Sequence, residues 1–163
     1  MFDFTNSIKN GIAAAETAAE NIKEINSVFL ELATQIETFS TGTLTARLET
    51  APDFWGTGHV LSAGLLGAAM ATAGLKGANN IKEKTSLVLV NNKSPSTKAA
   101  LATVDISKLG YPVKFTYADQ VSHASDKESL MMLLSSILEH PDSGKAISRM
   151  MRPPTKGETV DQS

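Results

Sequence analysis

The residue types that could do chemistry in this chain are few and scattered. Three histidines, His59, His123 and His140, lie far apart, and none stands in a ligand spacing such as His-x3-His or His-Glu-x2-His. A nucleophile elbow of the Gly-x-Ser-x-Gly type is missing. The chain has no cysteine, which excludes a thiolate metal site, a disulfide framework and cysteine nucleophile chemistry. Two imidazole and carboxylate pairs remain, His123 with Asp126 and His140 with Asp142, each close enough in sequence for the acid to orient the ring. Neither comes with a nucleophile, so the expectation is a non-enzymatic protein without cofactor or metal.

One segment could hold an anion. Thr85 to Val90 is a short apolar run containing Leu87-Val88-Leu89-Val90, which reads as a strand buried on both faces, the pattern of a parallel sheet. Asn91-Asn92-Lys93-Ser94 would then lie at its carboxyl edge. Ser94 can cap a following helix and Pro95 suits its first position, so free N–H groups, a dipole end and the Lys93 charge would converge there. Asp119, after the next strand, would be a neighbour at the same edge. The loop has no glycine, so it cannot wrap a phosphate as a P-loop does. A small-ligand, phosphate or RNA-binding domain using Asn91 to Ser94 and Asp119 is therefore the alternative function. A net charge of −2 supplies no global field for nucleic acid, which would need a local patch. Lys145, Arg149, Arg152 and Lys156 form a modest basic end of that kind, or a solvated terminal helix and tail.

The dominant positioning element is a single apolar seam from Ile8 to Ile36: Ile8, Ile12, Ala15, Ala19, Ile22, Ile25, Phe29, Leu32 and Ile36. Steps of three and four without a proline predict an amphipathic helix from about residue 6 to 40, with Lys9, Glu16, Lys23 and Glu31 opposite. Unbroken, it would be roughly 50 Å long, against a diameter near ~40 Å for a compact domain of this length. Either it breaks, with Gly11 and Asn26-Ser27 as weak points, or it projects and buries its seam on a second helix. Ile22, Ile25, Phe29, Leu32 and Ile36 are the expected partner-binding residues, and the partner is a second copy or another protein.

After Gly42, Thr43 to Glu49 alternates with Leu44, Ala46 and Leu48 on one side, a half-buried strand. Ala51 to Gly58 is a loop holding Trp55, read as a core lid or a ligand anchor. His59 to Leu75 is uncharged and nearly long enough to span a membrane, but its glycines and alanines favour close helix packing instead, so a membrane partner is not expected. Ala99, Ala102, Ile106 and Leu109 form a helical stripe closed by Gly110, and Val113 to Tyr117 alternates as a strand. Strand, helix and strand make a βαβ crossover; the competing reading takes Ala100 to Ile106 as a strand in a hairpin meander. Ser125 to Glu128 supplies a capping box for a helix to about Glu139, and a shorter helix spans 144–151. Met131, Met132, Met150 and Met151 read as core fillers.

The order Leu65-Leu66-Gly67, Leu87 to Val90, Ser96-Thr97-Lys98, Gly110-Tyr111-Pro112-Val113 and Lys127-Glu128 loosely resembles the small ribosomal RNA-binding α/β domains over about half the chain. Gly77-Ala78-Asn79-Asn80 matches that family's RNA-contacting Gly-x-Asn-Glu in part. The resemblance implies RNA as the sharpest form of the alternative.

The expectation is thus an α/β protein: a long amphipathic helix over residues 1–41, a small domain of about three strands with a βαβ crossover over 42–152, and a polar tail over 153–163. The alternative is α+β with a hairpin meander. The expected function is an interaction or assembly subunit, of a bacterial or phage structural, inhibitory or immunity type. The amino terminus lacks a basic region followed by an apolar core, so cytoplasmic residence is expected.

Overall fold

The computed structural model describes residues 3–52 and 83–153. The expectations for Trp55, for His59 to Leu75, for Gly77 to Asn80 and for nearly all of the tail lie outside those residues. The seam does form one unbroken helix, α1 (Phe4–Phe39), about 54 Å long at ~1.5 Å per residue. It starts where Asp3 accepts the Thr5 N–H at 2.9 Å. It ends as Thr41 and Gly42 turn to positive φ, 51° and 78°, and the Gly42 N–H reaches back to the Glu37 carbonyl at 2.8 Å.

Five strands follow: β1 (Leu44–Pro52), β2 (Glu83–Asn91), β3 (Ser94–Ser107), β4 (Gly110–Tyr117) and β5 (Gln120–Ala124). They form a single sheet in the order β1-β2-β3-β4-β5 with every neighbour antiparallel. Two helices follow the sheet, α2 (Lys127–Glu139) and α3 (Pro141–Met151). Asp126 and Ser129 make the reciprocal capping box of α2. Pro141 both stops α2 and occupies the first turn of α3.

The meander corrects the βαβ crossover and the count of about three strands. Residues 94–107 are strand, not helix, and the reason lies in one bulge. Leu87 pairs with Ala102 while the next residue, Val88, pairs with Ala100, so β3 carries one extra residue at that point. Ala99 and Ala102 consequently face the same core, at 9% and 6% exposure, although they are three apart. A bulged strand has here imitated the spacing of a helix face. Ser94-Pro95 is likewise no helix start. Asn91 pairs with Ser94 and Val90 with Lys98, so Pro95 falls in an irregular stretch of the ladder that does not require its missing N–H.

The helices cover one face of the sheet. Ile25, Val28, Leu32 and Ile36 of α1 meet Leu44 and Ala46, Leu87 and Leu89, Val104, Val113 and Phe115, with Leu130, Leu134, Ile137 and Met150 from α2 and α3 closing the same core. The opposite face explains why β2 reads as buried on both sides although its sheet is antiparallel. Lys98 on β3 reaches across β2 to Glu49 on β1, its Nζ 2.8 and 3.0 Å from the two carboxylate oxygens, and Arg47 joins Glu49 from the same strand. This bridge spans the face that carries Val88 and Val90, which are 7% and 2% exposed. The stems of these three charged side chains lie on that same face.

Candidate interaction surface

Gly110 marks the point at which α1 leaves the body. Its φ is +90°, and a Cβ built there would lie 2.5 Å from the Asn21 Cβ and 3.3 Å from the Ile22 nitrogen. The β3–β4 turn therefore abuts the helix directly, and Asn21 Nδ2 donates to the Leu109 carbonyl at 3.0 Å. One turn further, Tyr111 Oη donates to Glu24 Oε1 at 2.9 Å. Burial, with Glu24 accepting the proton, pushes the Tyr111 phenol up to about 12. Towards the amino terminus every residue from Phe4 to Thr17 is exposed.

The expected partner-binding residues divide accordingly. Ile25, Leu32 and Ile36 are buried in the chain's own core, and Phe29 packs against that core with its ring centroid 6.4 Å from that of Phe115. Ile22 is 38% exposed. Ile8 and Ile12 stand at 62% and 56%, and Leu30 at 69%. A seven-residue repeat on a straight helix precesses by ~20° per heptad, so the seam turns by roughly 80° between Ile8 and Ile36. The carboxyl-terminal half of the seam faces the sheet, while the amino-terminal half, Ile8, Ile12, Ala15, Ala19 and Ile22, looks elsewhere. One sequence pattern has become two surfaces.

The alternative ligand residues are placed in turns and are engaged there. Asn91 Oδ1 accepts the Lys93 and Ser94 N–H groups at 2.9 and 3.2 Å, and its Nδ2 donates to the Met150 carbonyl at 3.2 Å. Asn92 donates from its backbone to the Thr43 carbonyl and from its side chain to the Gly42 carbonyl. The segment is a hairpin turn between antiparallel strands, so the helix N-terminus invoked for anion binding is not there. Asp119 lies in the β4–β5 turn with φ +60°, at the same end of the sheet but two strands away.

The two histidine pairs also resolve into structure. Asp126 spends its carboxylate on the Ser129 N–H at 2.8 Å, a bond that holds it below the usual carboxylate range, and His123 stands opposite Lys114 on the ladder. His140 Nδ1 accepts the Asp142 N–H at 3.3 Å as the cap of α3, with Asp142 Oδ2 at 3.7 Å and the Tyr117 ring edge-on at 6.3 Å. A ring nitrogen committed to a cap is a poor general base. The cleft beside it, lined by Tyr117, His140, Asp142 and Ser143, has a volume of about 190 Å³, below the ~300 Å³ of the smallest ordinary ligand sites. Lys145, Ser148, Arg149 and Arg152 line a broad open hollow on α3. Among the described residues, no group of three or more His, Cys, Asp or Glu could hold a metal ion. Of the methionines, Met150 is core at 4% exposure, whereas Met132 is 65% exposed.

The fold defines an α+β class in which a five-stranded antiparallel meander carries the described helices on one face. No family model, no curated protein and no solved structure matches the chain. No helix among the described residues is long and apolar enough to cross a membrane.

Proposed function

We propose that this protein is a non-enzymatic interaction or assembly subunit whose working surface is the amino-terminal half of α1. The observation that supports the reading is the exposure of Ile8, Ile12 and Ile22 along a helix whose buried residues, Ile25, Val28, Leu32 and Ile36, all lie in its other half. A helix that needs solubility alone places charge there; this one places three isoleucines on one stripe with Ala15 and Ala19 between them. Burying an isoleucine fully contributes about 1.5–3 kcal/mol relative to exposure, so three give at most ~9 kcal/mol. Association costs an estimated 4–15 kcal/mol, which the three alone do not safely exceed. The contact must therefore extend along the alanines, where a second backbone can approach closely, and towards Leu30.

The test is sedimentation equilibrium of the full chain beside Ile8→Lys/Ile12→Lys. Both positions lie outside the core, so the variant should keep the thermal transition of the parent and lose the part of its association that the stripe supplies, with a lower mass than the parent. An unchanged mass distribution would refute the reading. Removing α1 altogether cannot serve as the test, because Ile25, Val28, Leu32 and Ile36 would leave the core with it.

A further inference from the structure

A second surface stands apart from the projecting stripe, at the outer edge of β1, the end strand of the sheet among the described residues. Thr43 accepts from Asn92 on β2 at 2.9 Å, and the register continues Leu44 with Asn91 and Thr45 with Val90, so the odd residues of β1 direct their backbone groups to β2. The even residues direct theirs off the sheet. Leu44 confirms this parity: its N–H donates to Ser40 Oγ at 2.9 Å, and Ser40 Oγ donates back to its carbonyl at 3.2 Å. The Ser40 hydroxyl, 1% exposed, thereby closes the first step of the edge. Beyond it the outward N–H and C=O groups of Ala46, Leu48 and Thr50 meet no partner among the described residues, which is the arrangement that accepts another strand.

The side chains select which strand. Arg47 and Glu49 lie on the open face with Leu48 between them on the core face. If a second β1 pairs antiparallel about a two-fold at Leu48, Ala46 falls opposite Thr50 and Leu48 opposite Leu48, and each pair exchanges its outward backbone hydrogen bonds. Arg47 of each copy then stands directly opposite Glu49 of the other, in the non-hydrogen-bonded positions where side chains come closest. The adjacent registers are excluded by the same residues. A two-fold at position 47 opposes arginine to arginine, and one at 49 opposes glutamate to glutamate. Leu48, only partly buried within one chain, is covered by its own copy in the selected register.

We infer that two copies of this chain pair edge to edge through β1, joining their meanders into one continuous sheet with a two-fold axis at Leu48. The interface is isologous and closes at two copies. It does not depend on the α1 stripe.

The experiment uses the full chain in the Ile8→Lys/Ile12→Lys background, so that the stripe does not contribute to mass. The parent in that background should sediment as a dimer. Arg47→Glu opposes two acidic pairs and Glu49→Arg two basic ones, and each alone should weaken dimerisation by about tenfold or more. Mixed in equal amounts the two restore Arg opposite Glu at both places, and the dimer should return as a heterodimer. Thr50→Pro removes an outward donor that the single chain does not use and should also give monomers with an unchanged far-ultraviolet spectrum. A monomeric parent, single variants that keep the parent's dimer, or a mixture that remains monomeric would each overturn the inference. The stripe reading fails separately, if the Ile8→Lys/Ile12→Lys change leaves mass unaltered.

Discussion

Replacing Gly110 by alanine tests the docking of α1 on the sheet at one point. The residue has φ +90°, and an added Cβ would lie 2.5 Å from Asn21 Cβ and 3.2 Å from the Asn21 carbonyl carbon, both fixed parts of a helix. The backbone conformation alone costs a non-glycine residue about 1–2 kcal/mol. Displacing the helix adds an overpacking term of about 1–3 kcal/mol, and the Asn21 bond to Leu109 is weakened with it. Gly110→Ala should therefore cost about 2–5 kcal/mol, a large part of the ~5–15 kcal/mol that holds an ordinary domain together. Gly42→Ala is the internal control. Its φ is +78° but nothing lies within 4 Å of its added Cβ, so it carries the backbone cost alone. Urea denaturation of the two variants beside the parent gives the difference directly, with an expected excess of about 1–3 kcal/mol for Gly110→Ala. Equal losses would refute the close approach of α1 to the β3–β4 turn, and with it the point at which the helix is said to leave the body.

Two further predictions concern single hydroxyl groups. Ser40→Ala leaves the Leu44 backbone groups without their partner in a buried position and should destabilise by about 1–3 kcal/mol in the same urea assay; a loss below ~0.5 kcal/mol would show that water replaces the hydroxyl. Tyr111 gives a pH dependence. Its ordinary value is 10.0 and its folded value about 12, so the folded state holds the phenolic proton more tightly. The stability from that difference is complete below pH 10.0 and is lost as pH rises through about 12. Tyr111→Phe should flatten the urea midpoint across that window, and a slope identical to the parent's would assign alkaline unfolding to other groups.

The sequence was legible where pattern and geometry are locally tied. The period of the seam, Gly42, the alternation of β1 and the capping signals around Asp126 and Pro141 each marked an element that forms. It misled where an irregularity changed the phase. The bulge in β3 set Ala99 and Ala102 at a helical spacing, and the burial of Val88 and Val90 on the second face made an antiparallel strand resemble a parallel one. The expected sites suffered from a different ambiguity. Asn91, Asp126 and His140 are polar residues beside chain reversals, and such residues cap and turn the backbone far more often than they bind ligands. The division of the seam into a core half and an exposed half carried a faint signal in the precession of its heptads, but where the body stops is set by Gly110, distant in sequence. The edge pairing depends on backbone parity, which only the register with β2 supplies.

The meander also has a consequence for how the chain comes together. Strands β2 to β5 are joined by tight turns, and α1 and β1 by the short turn at Thr41 and Gly42, so each group forms from contacts close in sequence. Residues 53–82 separate the two groups. The protein is therefore kinetically two pieces: a helix with one strand attached, and a four-stranded sheet with two helices. Among the described residues α2 and α3 cover part of the sheet's apolar face within the second piece, and the encounter that seats Ile25, Val28, Leu32 and Ile36 on the rest is also the one that adds the fifth strand.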